Sequence, residues 1–228
     1  MIHLHPTAEL AERVLLPGDP GRALLLAQVL LEAPKMFNHH RGLWGYTGTS
    51  PDGAPLTIQS TGMGGPSAAI VIAELAELGA RRFLRVGTCG ALGDSLQLGD
   101  LLIANEAIAD DGTSRALGAA DRVAATPDLL DRLTAAAAGH AHSGAVVSTD
   151  LFYDGAEGSE QRWLRDGALA VEMETATVFA LAARRGLQAA ALLIVSDLLL
   201  PSRRRIDPER LKDAEHRGGE LAVLALAV

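Results

Sequence analysis

The chain has 228 residues, 48% of them hydrophobic and 21% charged, so it can bury a substantial core and does not belong to the disordered class. Its formal charge of -8 argues against a general nucleic-acid or anionic-membrane surface, so any bound anion must be caught by a local cluster of arginines and amides. One cysteine excludes an internal disulfide framework and fits a reducing compartment.

The length is most simply one α/β domain over residues 1–228, which should bury roughly 70% of its unfolded surface. Residues 1–6, Met-Ile-His-Leu-His-Pro, lack a basic segment followed by an apolar one, so no secretory signal is expected. The longest apolar run, 189–200, is interrupted by Ser196 and Asp197 and is too short to span a bilayer. A cytoplasmic protein without membrane or nucleic-acid partners is the expectation.

Arg13–Leu16 reads as a short buried strand, followed at once by the turn Pro17-Gly-Asp-Pro-Gly-Arg22. Asp19 and Pro20 suit an N-cap and first turn, which predicts a helix over 20–31. Strand, glycine turn, helix start and arginine together make a phosphate seat, although many αβ turns look alike and hold nothing. Residues 42–49 and 55–60 read as two strands around the turn Ser50-Pro-Asp-Gly53, with Arg41 before the first. A second glycine turn, 61–67, leads into a helix opened by Pro66, with Ile70, Ile72, Leu75 and Leu78 apolar and Gly79 as its stop.

The next stretch, Phe83-Leu-Arg-Val-Gly-Thr-Cys-Gly90, organises the chain. Phe83, Leu84 and Val86 suit a buried strand, and Gly87 to Gly90 read as a small-residue turn that ends it. Arg85 lies inside the run. A buried arginine needs a partner, and an anion beside the Thr88 hydroxyl and the glycine amides would supply one. Alone, the bland reading of Arg85 snorkelling from a sheet edge would stand.

A strand over 100–104 follows, and over 109–125 the pattern dissolves into a mobile surface excursion. A helix is predicted from Thr126-Pro127 to near Gly139, a strand over 145–148, a short helix over 157–165 and a strand over 168–173. A helix over 174–185 stops at Gly186, a buried strand covers 189–196, and Asp207-Pro208 opens the last helix. The alternation predicts a central mixed sheet with helices on both faces.

Glu172 and Glu174 flank Met173 at a strand-to-helix junction. Carboxylates accept from paired hydroxyls, as a ribose diol requires, while capping of the helix start is the simpler account of either one. Ser196-Asp197 closes the most apolar strand, where ligand chemistry sits in such sheets. Arg210, thirteen positions later, would pass unaided as a surface charge. Cys89 reads as a packed thiol and His39-His40 as a structural pair; the seven histidines show no metal-ligand spacing, so no metal is expected.

Together the blocks LLPGDPGRA (15–23), HRGLWGYTGT (40–49), TGMGGPSAA (61–69), LRVGTCGA (84–91), STDLFY (148–153), AVEMET (170–175) and IVSD (194–197) resemble the bacterial, hexameric type of nucleoside phosphorylase. Within that family the resemblance is to the purine nucleoside phosphorylases, and it covers nearly the whole chain. It implies a single nucleoside phosphorylase domain that cleaves purine nucleosides to base and ribose 1-phosphate. Inorganic phosphate is then the co-substrate, with no cofactor. Gly18, Arg22, Arg85 and Thr88 match phosphate-binding positions, with Arg41 lent by a neighbouring subunit. Met63, Met173 and Glu174 match ribose contacts, together with an N-terminal histidine from the neighbour, for which His3 and His5 compete. Cys89, Gly90, Phe152, Val171, Glu172 and Ser196 match the wall around base and sugar, and Asp197, helped by Arg210, matches the acid to purine N7.

An aspartate is ordinarily ionised at neutral pH, and an arginine alongside favours that form. The resemblance therefore implies that Arg210 approaches on closure rather than resting against Asp197. A homohexamer, a trimer of dimers, is implied by the lent residues. Uridine phosphorylase would carry Gln-x-Arg where this chain has Asp154-Gly-Ala-Glu. The same scaffold also admits a nucleosidase that uses water as nucleophile, or a nucleoside-binding protein without catalysis.

Overall fold

A computed structural model describes residues 1–153 and 155–227, so Asp154, one position of the uridine phosphorylase comparison, lies outside the described residues. In order the chain forms β1 (Arg13–Leu16), α1 (Pro20–Leu30), β2 (Glu32–Asn38), a 3₁₀ turn (His40–Gly42), β3 (Gly45–Thr49), β4 (Pro55–Gln59), α2 (Gly65–Glu77) and β5 (Arg82–Ala91). Then come β6 (Leu101–Asp110), α3 (Gly112–Ala116), β7 (Arg122–Ala124), α4 (Pro127–Ala137), β8 (His142–Thr149) and α5 (Ser159–Arg165). The last elements are β9 (Ala168–Glu172), α6 (Thr175–Arg185), β10 (Gln188–Leu198), β11 (Arg204–Arg205) and α7 (Pro208–Leu226).

The strands make one mixed sheet in the order β11-β10-β6-β8-β9-β5-β1-β4-β3-β2, with β7 on β6. Because β10 also pairs with β5, the five strands β10, β6, β8, β9 and β5 close on themselves. The remaining strands β1, β4, β3 and β2 extend from β5 as an open wing. One apolar layer packs Phe83 and Leu193 of the sheet against Val71 and Leu75 of α2 and Phe179 of α6. The other packs Leu84, Val86 and Leu192 against Leu26 of α1, Leu133 of α4 and Val223 of α7. Successive residues of β5 point to opposite faces, which is why both layers draw on one strand.

Helix starts follow the capping rules. The Asp19 carboxylate accepts from the Arg22 amide at 2.7 Å, and Asp207 accepts from the amides of Glu209 and Arg210 at 3.0 and 3.4 Å. Gly186 closes α6 at φ +65°. Arg13, 2% exposed, is held by Asp52 and Ser50 side chains and by carbonyls of Pro55, Ala54 and Leu226. It ties the wing hairpin to the end of α7.

Two local expectations are corrected, and one strand is added. The chain does not turn at Gly87: β5 runs straight through Gly87–Gly90 to Ala91. Those glycines answer to side chains crossing the strand. A Cβ on Gly87 would lie 2.6 Å from the Arg85 guanidinium carbon, and one on Gly90 would lie 3.1 Å from Leu199. Residues 109–125 are ordered as the end of β6, α3 and β7, with Asp111 accepting from the Ser114 amide at 2.7 Å to start α3. β2 is a strand the sequence does not announce; five of its seven residues are exposed, so it carries no apolar alternation.

Candidate active site

The site lies where the neighbours of β5 change. On one edge β5 pairs with β1 as far as Leu16↔Arg85 and with β9 only from Gly90↔Val171. Between them residues 86–89 have no strand partner on that edge among the described residues. On the other edge β10 runs alongside from Gln188↔Arg82 to Leu198↔Ala91, with a bulge between Val195 and Asp197. A gap between diverging strands is where α/β sheets place ligands.

Arg85 stands at the inner end of this gap. Its Nε donates to Glu172 Oε2 at 3.0 Å and its Nη2 to Glu174 Oε2 at 2.5 Å. Its Nη1 is buried and has no hydrogen-bond partner among the described residues. A Cβ on Gly87 would lie 3.0 Å from that Nη1 and one on Gly18 3.9 Å from it, so both glycines border it. The Gly18 turn is fixed to the second glycine turn by Thr61 and Gly62 amides donating to Pro17 and Gly18 carbonyls at 2.8 and 3.0 Å. Burial lowers the Arg85 pKa, but the carboxylates of Glu174 and Glu172 outweigh it and raise it above the ordinary value.

Glu172 and Glu174 divide the work. Glu172 accepts from the Ser148 hydroxyl, from the amides of Glu174 and Thr175 at 2.9 Å, and from Arg85. Both its oxygens are committed inside the protein, so it sets Arg85 and the start of α6 instead of facing a ligand. Glu174 accepts from the Gly64 amide at 2.5 Å and from Arg85, which draws the Met63 loop over it. Burial pushes the Glu174 carboxyl above the usual range, opposed by Arg85 and reinforced by the repulsion of Glu172. Met63 is 85% exposed and Met173 half-buried.

The other end of the gap is Asp197, 5% exposed and paired with Gly90 across the strands. Along β5, Arg85 and Gly90 are about 16 Å apart. Asp197 Oδ2 accepts from the Ser196 hydroxyl at 2.8 Å. Its Oδ1 meets Arg203 Nε at 3.0 Å and Arg205 Nε at 3.3 Å. The Arg203 guanidinium lies 4.4 Å from the centroid of the Phe152 ring. Arg210 does not touch Asp197; its Nη2 donates to the Leu98 carbonyl at 3.1 Å.

The remaining expected residues are distributed as follows. Thr88 lies in the gap and is half-buried, while Val171 borders it opposite Gly90 and is also half-buried. Cys89 is packed in the core with Sγ near the Ile194 carbonyl, and burial pushes its thiol well up. Arg22 is buried and its Nε is bonded to Glu215 of α7 at 2.7 Å. Arg41 is exposed, at φ +58°, and makes no hydrogen bond or ion pair among the described residues. The His3 ring Nδ1 meets Glu74 at 2.8 Å, and His5 stacks on His40 with centroids 3.8 Å apart.

The pattern of the Phosphorylase superfamily matches residues 12–227. The chain belongs to that superfamily. It is 39% identical over 210 residues to the DeoD-type purine nucleoside phosphorylase of Geobacillus kaustophilus, covering 90% of this chain and 88% of the relative. It is 39% identical over 218 residues to the protein of the same name from Alkaliphilus metalliredigens, covering 89% of each chain. It is 36% identical over 225 residues to a guanosine phosphorylase of Halorubrum lacusprofundi, covering 94% of this chain and 92% of the relative. No group of three or more His, Cys, Asp or Glu among the described residues is placed to hold a metal ion. No described helix is long and apolar enough to cross a membrane.

The sequence reading missed Arg203 and Arg205 on Asp197, Glu215 on Arg22, and Glu74 beneath the N-terminus. Only the arginines left a signal: three in succession, Arg203 to Arg205, in an acidic chain six residues after Asp197.

Proposed function

We propose that this superfamily member is a purine nucleoside phosphorylase, acting as one domain over residues 1–228. Phosphate binds at the Arg85 end of the gap, the sugar lies over Glu174 with Met63 and Met173 around it, and the purine lies at Asp197. The observation that carries this reading is the buried Nη1 of Arg85 without a partner among the described residues, at the opposite end of the β5 gap from a buried aspartate. A buried unpaired donor costs about 1–3 kcal/mol, which an arriving oxyanion would recover. The names of the relatives point to the same substrates.

In the reaction a phosphate oxygen attacks C1′ as the C1′–N9 bond breaks, and the bonding electrons leave with the purine. Arg85, Thr88 and the Gly18 turn hold the nucleophile, with Arg22, already bonded to Glu215, as a further cation. Glu174 accepts from the sugar hydroxyls at Oε1, displacing the Gly64 amide that donates to it, while Oε2 keeps Arg85 in place. Asp197 delivers a proton to N7 as general acid. That step requires Arg203 and Arg205 to leave the carboxylate, so that Asp197 takes up a proton from solvent before passing it to N7, and Arg210 to swing from the Leu98 carbonyl.

A homohexamer built as a trimer of dimers is part of the proposal, with Arg41 and His3 completing a neighbour's site. Arg41 is exposed and unpaired among the described residues of its own chain, and Glu74 holds the His3 ring by Nδ1, leaving Nε2 without a partner among the described residues. His5 is occupied by its stack on His40, which favours His3 as the lent residue. Purine and pyrimidine nucleosides assayed with and without phosphate test the reading. Purine release only with phosphate is expected; equal release without phosphate would make the chain a nucleosidase, and binding without turnover a nucleoside sensor.

A further inference from the structure

Resting on the phosphorylase reading, we infer that Arg203 is a specificity-determining residue that donates to the 6-oxo group of the purine and makes the enzyme prefer 6-oxopurine over 6-aminopurine nucleosides. Arg203 is placed for this by two contacts: its Nε bonds Asp197 Oδ1 at 3.0 Å, and its guanidinium lies 4.4 Å from the Phe152 ring centroid. Its two Nη groups make no hydrogen bond among the described residues, and its side chain is 39% exposed. A planar fork of donors without partners among the described residues therefore lies between Asp197 and Phe152, the residues that would meet the base.

The chemistry of the base edge follows. A 6-oxopurine presents O6 as an acceptor, so an Nη of Arg203 can donate to O6 while Asp197 addresses N7 beside it. A 6-aminopurine offers N7 and the N6 amino group, so one Nη would face another donor. The match strengthens during reaction, because the electrons released from the C1′–N9 bond spread onto O6 of a 6-oxopurine. Arg203 only stabilises that charge. Arg205, whose Nε is also 3.3 Å from Oδ1, keeps Asp197 paired as Arg203 turns to the base and leaves it only when Asp197 takes up its proton.

The test is kcat/KM for inosine and adenosine with saturating phosphate, in the wild type and in Arg203→Gln and Arg203→Lys. Because Arg205 still pairs with Asp197, neither substitution leaves a buried charge alone. The wild type should favour inosine by roughly ten- to a hundredfold. Arg203→Gln should shrink that ratio at least tenfold, mainly by loss on inosine, and Arg203→Lys should recover only part of it. Hypoxanthine should also bind the wild type more tightly than adenine in a direct titration, a difference Arg203→Gln should erase. Phosphate-dependent cleavage of adenosine as fast as inosine, or an unchanged ratio in Arg203→Gln, overturns this inference alone. Absence of phosphate-dependent cleavage of either nucleoside overturns the phosphorylase reading and this inference with it.

Discussion

Arg85 and Glu174 meet at 2.5 Å in the interior, and the same guanidinium leaves its other terminal nitrogen buried and unbonded among the described residues. Two carboxylates fix one cation and aim its free donor at the Gly18 turn. Removing the cation strands both carboxylates. Arg85→Ala should lower the free energy of unfolding by about 3–5 kcal/mol, measured by denaturant titration. Arg85→Lys restores the charge without the fork, so it should fold better than Arg85→Ala and still need at least tenfold more phosphate for half-maximal rate.

Asp197→Asn keeps the shape of the base end and removes the transferable proton. Turnover of inosine should fall roughly 10²- to 10⁴-fold with phosphate KM little changed. A substrate with a good leaving group, such as a nitrophenyl riboside, should lose much less. Unchanged inosine turnover would take the proton-donor role away from Asp197.

Much of the fold was legible because local chemistry and tertiary packing agreed. Asp19 with Pro20 and Asp207 with Pro208 start helices by capping rules that need no distant partner. The apolar run of β10 reads as a strand because both its faces are covered. Gly87 and Gly90 misled because glycine signals a turn locally, whereas here it admits the Arg85 and Leu199 side chains across a straight strand. At the site, Asp197 and the carboxylate pair stood out by position at strand ends. Their partners did not, since Arg203 and Arg205 reach Asp197 only when β11 folds back antiparallel on β10, setting Asp197 opposite Arg205. Glu215 lies 193 positions from Arg22, a separation at which no local pattern speaks.

Glu74 gathers the N-terminus: its carboxylate accepts from the amides of Ile2, His3 and Leu4 and meets the His3 ring. Burial raises its pKa, but these hydrogen bonds outweigh burial and hold it at about 2. A carboxyl depressed by folding contributes stability above its unfolded value of 4.5, and loses it as pH falls toward about 2. Amide exchange of residues 2–4 should therefore accelerate as pH falls through that window, after correction for intrinsic rates. Glu74→Gln should show the accelerated exchange already at neutral pH, with a loss of about 1–3 kcal/mol of local stability.

Arg41, unpaired at φ +58° among the described residues of its own chain, should act in a neighbour's site. Arg41→Ala and Arg85→Lys subunits should each be weakly active alone. Mixed and reassembled, they should regain activity, because some sites then contain both native arginines. Mixtures no more active than the sum of their parts would place Arg41 outside any shared site.

The central claim is that phosphate, held by Arg85, is the nucleophile. Inosine incubated with phosphate and followed by ³¹P NMR tests it most directly. The account predicts one ribose 1-phosphate formed for each hypoxanthine released, and loss of both when phosphate is withheld. Hypoxanthine accompanied by free ribose, at a rate indifferent to phosphate, would contradict it.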